Sequence, residues 1–242
     1  MRRSSKGGNV DAWEFKYDSA TFQTVRQRDS QMGADEEGRA LATPEYWNSR
    51  YEKSASDQPT HEWFRSFEAL EPFLRPYLYI AYPPESNPRI LHLGSGDSTV
   101  PADLAKRGYN NQLCVDFSKT VVNLMSKRHE STPGISWRWA DVRDLEDVPT
   151  ESVDVAFDKG TLDAFVHGSP WDPPEEVKDS TGRYMQAVHR VLKADGVFLY
   201  ITFRQPHFIK PLLNAAGLWE MQMETLGGKS SFDYFAFVLK KA

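Results

Sequence analysis

The amino-acid sequence predicts an α/β fold, in which helices cover both faces of a mostly parallel, seven-strand sheet. Three observations carry this prediction. Short apolar segments alternate with amphipathic helical segments between residues 89 and 202. A glycine or an acid follows each of the first four apolar segments, as expected at the carboxyl ends of parallel strands. Two β-rich segments close the chain around Gly227 and Gly228, which indicates an antiparallel hairpin at the sheet edge.

The first half of the sheet is predicted from three apolar segments, each with a polar or glycine terminus. Residues 89–93 form a strand that ends at Gly94, and residues 113–115 form a second that ends at Asp116. Residues 135–140 form the third, followed by Asp141. These three termini are expected to meet at one edge of the sheet, because parallel strands bring their carboxyl ends together.

Two helices are predicted between these strands from their terminal residues. Pro101 suits the first turn of a helix and Gly108 the position just beyond its end, which delimits the first helix around Leu104. The Ser118 side chain can accept a backbone N–H, so it is expected to begin the second helix, which carries the apolar pair Val121 and Met125.

The second half continues the alternation. Residues 153–157 form a fourth strand that ends at Asp158, and a proline-rich loop follows. Tyr184, Val188, Val191 and Leu192 mark an amphipathic helix that Gly196 is expected to end. The fifth strand, 197–202, and the β-rich segments 219–225 and 234–239 complete the sheet.

The chain is divided into residues 1–40, a flexible N-terminal tail, and residues 41–242, the folded domain. The tail is rich in serine, glycine and glutamine and shows no sustained apolar period. Beyond it, Trp63, Phe67, Leu70 and Leu74 follow one another at spacings of four, three and four residues. That spacing predicts a single helical stripe.

Composition excludes several functional classes. The net charge is −5, and no run of lysine or arginine predicts a nucleic-acid partner. One cysteine, Cys114, excludes an internal disulfide and a multi-cysteine zinc site, and it reads as a buried core residue. The histidines show no metal-ligand spacing, so no metal is expected. No apolar run reaches membrane-spanning length and no secretory signal is recognised, so the expected location is the cytoplasm, with the nucleus as the alternative.

The glycine-rich turn Gly94-Ser95-Gly96 is the best-placed motif for binding a ligand. It follows the first strand, where glycines let a ligand approach the backbone near a helix N-terminus. Asp116, twenty residues after Gly96, can accept both hydroxyls of a ribose, and Asp141 can accept from an adenine amino group or instead cap a helix. The glycine turn, Asp116 and Asp141 together predict an adenosine-bearing cofactor. NAD is disfavoured, because Thr99 stands where the third glycine of the dinucleotide motif belongs.

Four segments of the sequence match motifs of a known enzyme family. They are YWNSRY at 46–51, LGSGDS at 93–98, DVR at 141–143 and DKGTLDA at 158–164, with PHF at 206–208 in support. The chain resembles class I, seven-β-strand methyltransferases, and within them the branch that contains elongation factor 1-alpha lysine methyltransferases. DKGTLDA is the most specific of these motifs. The resemblance covers residues 46–239 and leaves the N-terminal tail without a counterpart.

The resemblance implies S-adenosylmethionine as cofactor and S-adenosylhomocysteine as product. Gly94 would line the methionine end, Asp116 would hold the ribose, and Asp141 would meet the adenine edge. The full set of implied cofactor-binding residues is Trp47, Tyr51, Trp63, Gly94, Ser95, Gly96, Asp116, Phe117, Asp141, Val142 and Lys159. Two positions depart from the branch: Ser95 replaces a common cysteine, and Phe117 replaces a frequent aromatic hydroxyl.

Two acids, Asp158 and Asp163, are the candidate catalytic residues. A lysine acceptor must lose a proton, and at a reference pKa of about 10.4 only roughly one amine in a few thousand is neutral at pH 7. A desolvated aromatic slot with one acid would favour the neutral amine, and Trp47, Tyr51 and Trp63 could face the sulfonium by cation–π contact. The alternatives are that Asp158 bonds backbone groups at the strand end, that Asp163 caps a helix, that Lys159 is structural, and that Trp63 and Phe67 pack in the core.

The predicted activity is methyl transfer from S-adenosylmethionine to a protein lysine, with elongation factor 1-alpha as the substrate that the resemblance suggests and a monomer as the expected state. The alternatives are a small-molecule methyltransferase with the same cofactor site and a non-catalytic binding module. The loops around 168–176 and 205–208 discriminate the first two. A protein substrate needs them open, whereas a small-molecule enzyme would cover them, for example with its N-terminal tail.

Overall fold

The computed structural model describes residues 30–54, 61–227 and 233–242. Within these ranges the chain forms a seven-stranded sheet. Its strands are β1 Ile90–Leu93, β2 Gln112–Asp116, β3 Ile135–Trp139, β4 Val153–Lys159, β5 Leu192–Thr202, β6 Trp219–Leu226 and β7 Tyr234–Lys241. They lie in the order β3-β2-β1-β4-β5-β7-β6.

The sheet is parallel from β3 to β5 and antiparallel at β7. This confirms the predicted fold class and the C-terminal hairpin, although the turn of that hairpin, 228–232, lies outside the described residues. The chain runs outward from β1 to β3 and then returns to β4 on the other side of β1. That reversal opens a crevice at the carboxyl ends of β1 and β4, the usual ligand position in such sheets.

Helices lie on both faces of this sheet. They are α1 Ser30–Leu41, α2 Pro44–Ser54, α3 Phe67–Leu74, α4 Val100–Lys106, α5 Lys119–Arg128, α6 Thr161–Phe165, α7 Glu175–Val191 and α8 Pro206–Leu213. A single π-helical segment, Arg75–Ile80, continues α3. The predicted helix starts are confirmed: Pro101 lies in the first turn of α4, and the Ser118 hydroxyl accepts the Val121 N–H at the start of α5.

The sheet separates two large hydrophobic cores, one on each face, and a third, smaller cluster lies around Tyr51, Val121 and Met125. One packs α7 against the strands through Tyr184 and Val188, and the other packs α3 and α4 through Leu70 and Leu104. Both layers are required, because the central strand β1 is buried along its whole length. The described residues contain no helix that combines the length and the hydropathy of a membrane span.

The predicted end of α7 is wrong. The helix ends at Val191, and Leu192 already has an extended backbone and pairs with Val153 of β4. Gly196 therefore lies inside β5, where the register against β4 shifts between Val153 and Val155. A glycine inside a strand often marks such an irregularity. Gly196 is therefore part of β5 and not the helix stop that the sequence predicts.

The predicted boundary of the N-terminal tail is also corrected. Residues 30–40 belong to α1, which packs on the domain. The Arg39 guanidinium lies 3.2 Å from the Glu176 carboxylate of α7, and Gly38 approaches His167 so closely that a Cβ there would lie 2.8 Å from the His167 Cβ. The remainder of the predicted tail, residues 1–29, lies outside the described residues.

The aromatic stripe predicted from residue 63 is shorter than expected. The helix begins at Phe67, with Ser66 as its N-cap, so Trp63 lies in the preceding loop. Phe67, Leu70 and Leu74 form the buried stripe as predicted. The Ser66 hydroxyl accepts the Ala69 N–H and so fixes the start of the helix after Trp63, although the apolar spacing extends back to that residue.

Leu70→Ala tests the packing of α3 against the sheet. The Leu70 side chain is fully buried, so its truncation should lower the free energy of unfolding by about 2 to 5 kcal/mol. Urea denaturation followed by circular dichroism measures this change. Ile80→Ala is the control, since Ile80 is exposed, and it should shift the free energy by no more than about 0.5 kcal/mol. Equal losses in the two variants would contradict the assigned packing.

Candidate active site

The turn after β1 is shaped by two glycines in the left-handed region. Gly94 has φ +58° and Gly96 has φ +52°, a conformation that glycine adopts without strain. A Cβ at Gly94 would lie 2.3 Å from the Thr161 side chain, and one at Gly96 would lie 2.7 Å from the Tyr51 hydroxyl. Thr161 also donates to the Leu93 carbonyl at 2.8 Å. The glycines therefore let α2 and α6 close on this turn.

Ser95 joins the same turn to β2. Its N–H donates to the Val115 carbonyl at 3.0 Å, and its hydroxyl oxygen is buried, with no hydrogen-bond partner among the described residues. Cys114 is fully buried, which confirms its reading as a core residue. Position 95, where this chain has serine and the similar methyltransferases commonly have cysteine, therefore lies on the core side of the turn.

Asp116 ends β2 with a buried carboxylate that faces the glycine turn. One oxygen accepts the Gly96 N–H at 3.0 Å and the other accepts the Ser118 N–H at 2.8 Å. Burial raises the pKa of this carboxyl to about 6, although the two backbone hydrogen bonds oppose the shift. Each oxygen still has a lone pair for a hydroxyl donor. The donor set thus suits the two neighbouring hydroxyls of a ribose.

The predicted adenine side is built at the ends of β2 and β3. The half-buried Phe117 ring lies 6.2 Å from the Phe165 ring. The Trp139 indole N–H, which sequence reasoning missed, donates to the Phe117 carbonyl at 2.9 Å. Val142 packs in the core, so any contact it makes with an adenine comes from its backbone.

Asp141 is held by its neighbour Arg143. The guanidinium donates to both carboxylate oxygens, with the Nη2–Oδ2 pair at 2.6 Å. Burial acts to raise the pKa of the Asp141 carboxyl, but the hydrogen bonds from Arg143 outweigh it and lower the pKa. Asp141 is therefore an ionised acceptor, partly exposed at the sheet edge, whose orientation Arg143 sets.

Residues 61–65, here called the edge strap, cross the carboxyl edge of the sheet. At one end the His61 N–H donates to the Asp97 carboxylate at 3.1 Å. The Glu62 carboxylate then accepts the Thr99 N–H at the start of α4. These two bonds attach the strap to the residues that follow the glycine turn.

Lys159 fixes the middle of the edge strap. Its ammonium lies 2.9 Å from the Glu62 carboxylate and donates to the Trp63 carbonyl at 2.8 Å. Only 5% of the Lys159 side chain is exposed. Burial lowers the pKa of this ammonium, and the Glu62 carboxylate opposes that shift. The described contacts of Lys159 are thus structural, which agrees with the alternative interpretation of this residue.

Phe64 lies in the edge strap next to the ends of β4 and β5, on the side of the crevice here called the acceptor side. It has φ +64°, an unusual conformation for a bulky residue and one that clusters at functional sites. Its ring lies 5.6 Å from the Phe203 ring and 5.4 Å from the Tyr234 ring. A Cβ at Gly160 would lie 2.8 Å from that ring. An aromatic cluster therefore covers the ends of β4, β5 and the start of β7.

The three aromatic residues predicted to close the cofactor pocket come together. Trp47 and Tyr51, on α2, stack with ring centroids 6.0 Å apart. Trp63, in the edge strap, meets Trp47 edge-on at 6.1 Å. Tyr51 is buried beside Gly96, whereas Trp47 donates its indole N–H to the Leu41 carbonyl at 2.7 Å. These rings form a wall next to the glycine turn.

Asp158 is fully buried and has no free face toward the crevice. Its carboxylate accepts the Thr161 N–H at 2.7 Å, the Leu162 N–H at 3.0 Å and the Tyr184 hydroxyl at 2.7 Å. Burial raises the pKa of this carboxyl to about 7. Asp158 thus bonds backbone groups at the strand end, the alternative interpretation, and anchors α6. Its contact with an incoming amine stays a prediction.

Asp163 is occupied in the same way. Its carboxylate accepts the Tyr200 hydroxyl at 2.7 Å and the Thr202 hydroxyl at 2.6 Å, and lies 3.5 Å from the Arg204 guanidinium. Burial raises the pKa of the Asp163 carboxyl, and Arg204 opposes that shift. Its expected contact with the amine likewise stays a prediction. The alternative of a helix cap is not observed, because the carboxylate links α6 to β5.

Comparison with known proteins identifies the class. A family model described as "Methyltransferase domain" matches residues 91–200. An S-adenosylmethionine-dependent methyltransferase from Methanosarcina mazei has the same fold, with a TM-score of 0.53 and 16% identity over 70% of this chain and 97% of that one. Another, from Anabaena variabilis, has a TM-score of 0.58 and 14% identity over 82% and 95% of the two chains. Fold and site together define an S-adenosylmethionine-dependent methyltransferase.

Curated relatives narrow this class. EEF1A lysine methyltransferase 4 of Mus musculus is 34% identical over 200 residues, which cover 81% of this chain and 74% of that protein. The Bos taurus protein of the same name is 33% identical, over 79% and 73% of the two chains. The eEF1A lysine and N-terminal methyltransferase of Danio rerio is 29% identical but matches over only 28% of its length. The chain belongs to the methyltransferase family that includes EEF1A lysine methyltransferase 4.

The residues present fit the cofactor of this family. Asp116 offers two lone pairs to the ribose hydroxyls, and Asp141 offers an oriented acceptor at the expected adenine edge. Gly94 and Gly96, both at positive φ, present no side chain on either side of Ser95 in the turn. Sequence reasoning found these positions but missed Glu62 and Thr161. Thr161 lies inside the DKGTLDA motif and could have been singled out, whereas no local signal marks Glu62.

Asp116→Ala should abolish cofactor binding, because the ribose hydroxyls lose their acceptor. In the unchanged protein, the affinity for S-adenosylhomocysteine should fall as the pH drops through about 6, the pKa of Asp116. The ionised carboxylate accepts the hydroxyls, so binding is complete above that pKa and is lost below it. Calorimetric titration over a range of pH values measures both effects.

Asp116→Asn separates this carboxylate from the other acids that titrate nearby. The amide keeps the size of the side chain but cannot gain a proton in this range, so the residual affinity should not change near pH 6. A pH dependence that persists in Asp116→Asn would assign it to another group, such as Asp158.

Lys159→Met tests the buried ion pair. It leaves the Glu62 carboxylate without its partner, so the free energy of unfolding should fall by about 3 kcal/mol. The double variant Glu62→Gln/Lys159→Met should be more stable than Lys159→Met, because no unpaired charge remains. Denaturant unfolding measures both values. Lys178→Met removes two exposed ion pairs and should change stability by less than about 1 kcal/mol. The single variant Glu62→Gln completes the cycle. If the losses of Glu62→Gln and Lys159→Met simply add up in the double variant, Glu62 and Lys159 are not coupled.

Proposed function

We propose that this methyltransferase transfers a methyl group from S-adenosylmethionine to a lysine amine of a protein, and that the protein is elongation factor 1-alpha. The observation that carries the proposal is the 34% identity to EEF1A lysine methyltransferase 4, which extends over 74% of that protein. The name of that relative specifies both the lysine acceptor and the protein that bears it.

The acceptor side of the crevice supports a macromolecular substrate. Trp171, in the loop after α6, is 81% exposed, and Phe203, at the end of β5, is 48% exposed. Within 30–54, 61–227 and 233–242, no segment covers the Trp171 ring, and Phe64 and Arg204 cover the Phe203 ring only in part. A small-molecule enzyme would be expected to close this side, because exclusion of water favours transfer to a small acceptor.

The residues around Gly160 suit the chemistry that a lysine acceptor needs. S-adenosylmethionine supplies a methyl group on a sulfonium, which is already an activated leaving group. The protein therefore has to position the amine in line and keep it neutral. Phe64, Phe203 and Tyr234 offer an apolar surface, and desolvation there lowers the pKa of an entering ammonium. The amine then releases its proton to solvent before transfer.

Asp158 and Asp163 serve this reaction as positioning residues in our proposal. Asp158 holds the first turn of α6, and Asp163 ties that helix to Tyr200 and Thr202 of β5. Both therefore fix the position of Gly160 relative to the aromatic cluster. Substitution of either residue is expected to act through that geometry.

We further propose that the enzyme acts as a monomer in the cytoplasm, where elongation factor 1-alpha works, with no nucleic-acid partner. The net charge of −5 supports the last point, because a nucleic-acid footprint requires clustered positive charge.

The direct test is methyl transfer to purified elongation factor 1-alpha. Incubation with tritiated S-adenosylmethionine should label the factor, and mass spectrometry of its peptides should place the methyl groups on a lysine. Asp116→Ala, which lacks the ribose acceptor, should give no label. Label confined to the small-molecule fraction of a cell extract would overturn the proposal in favour of a metabolite methyltransferase.

A further inference from the structure

Three aromatic side chains form an exposed surface beside the acceptor side, here called the aromatic platform: Trp171, His207 and Phe208. The Trp171 ring is 81% exposed and meets the Phe208 ring edge-on, with centroids 4.8 Å apart. The His207 ring lies 6.2 Å from the Trp171 ring and 3.9 Å from the Phe208 ring. The His207 and Phe208 rings therefore contact the Trp171 indole, and most of its surface remains exposed to solvent.

The platform is placed at the reacting edge of the sheet by chain connectivity. Trp171 lies in the loop between α6 and α7, which follows the carboxyl end of β4. His207 and Phe208 lie in the first turn of α8, which follows the carboxyl end of β5. Both segments therefore emerge beside Gly160. A protein whose lysine enters there would also reach the platform.

Negative charge adjoins the indole. Between residues 172 and 179 the chain carries Asp172, Glu175, Glu176 and Asp179 against a single cation, Lys178. The side chains of Asp172 and Glu175 are 88% and 89% exposed, and Lys178 lies between them at 3.1 Å and 2.8 Å. One ammonium shared by two exposed carboxylates leaves an excess of negative charge next to Trp171.

We propose that the aromatic platform docks a basic segment of the protein acceptor, a stretch that carries arginine or lysine near the methylated residue. This inference rests on the proposed function, because it assigns a second contact to the same substrate. A guanidinium can lie on the indole face of Trp171 while it pairs with Asp172 or Glu175. An acidic segment would meet like charge here. Large exposed aromatic residues are also common binding hot spots.

Direct binding tests the platform without requiring methyl transfer. Two fluorescent peptides of equal length each contain one lysine, flanked by arginines in the first and by glutamates in the second. Fluorescence anisotropy is measured with S-adenosylhomocysteine present, at low and at high salt. The arginine peptide should bind at least about tenfold more tightly, and salt should weaken it. Trp171→Ala and the double variant Asp172→Asn/Glu175→Gln should each raise its Kd about tenfold.

Two control variants match these changes elsewhere on the surface. Ile80→Ala removes an exposed apolar side chain, and Glu146→Gln/Asp147→Asn removes two exposed carboxylates from the loop before β4. Both should leave the Kd of the arginine peptide within about twofold. If Glu146→Gln/Asp147→Asn weakens binding as much as Asp172→Asn/Glu175→Gln, the peptide responds to net charge alone and the platform is overturned.

Methylation of elongation factor 1-alpha separates this inference from the proposed function. Trp171→Ala should raise the KM for the factor about tenfold and leave kcat and S-adenosylhomocysteine affinity unchanged. An unchanged KM in an enzyme that methylates the factor overturns the platform but keeps the proposed function. Absence of methylation by the unaltered enzyme overturns the proposed function, whichever peptide binds. Self-association that Trp171→Ala abolishes would assign the platform to a second copy of this chain and overturn the proposal.

Discussion

The ion pair between Lys159 and Glu62 fixes the arrangement of this active site. Lys159 ends β4, next to the crevice beside β1, and its ammonium also holds the Trp63 carbonyl. Since both charges are largely buried, neither is favourable without the other. The edge strap is therefore bound to the sheet at its centre. From there it contacts the residues after the glycine turn on one side and places Phe64 on the other.

Four acids surround this strap or the sheet edge beside it, and they differ in how many of their lone pairs the protein occupies. Asp158 and Asp163 receive donors from helix backbone, tyrosine and threonine, so they stabilise α6 and its junction with β5. Asp116 receives only two backbone N–H groups and keeps acceptor capacity for a ribose. Asp141 is oriented by Arg143. The donors to Asp158 and Asp163 lie on helices and on β5, whereas the donors to Asp116 and Asp141 lie in loops at the sheet edge.

The two sides of the crevice use different chemistry for different tasks. The cofactor side combines a backbone turn with a buried carboxylate, which suits a polar nucleoside. The acceptor side is aromatic, from the Phe64 cluster to the exposed ring of Trp171. Such a surface accommodates the apolar stem of a lysine and lowers the pKa of its ammonium. In our proposal, the rings and exposed carboxylates on the same side give a protein substrate further points of contact.

Sequence alone determined the features that depend on neighbouring residues. The strands, the starts of α4 and α5, the glycine turn and the position of Asp116 were all predicted, because backbone preference and apolar period act locally. The tertiary structure decided the end of α7, the helix α1, the pairing of Glu62 with Lys159 and the structural use of Asp158 and Asp163. Each of these depends on partners far away along the chain. Whether a carboxylate retains a free lone pair is settled only when those distant donors are brought together.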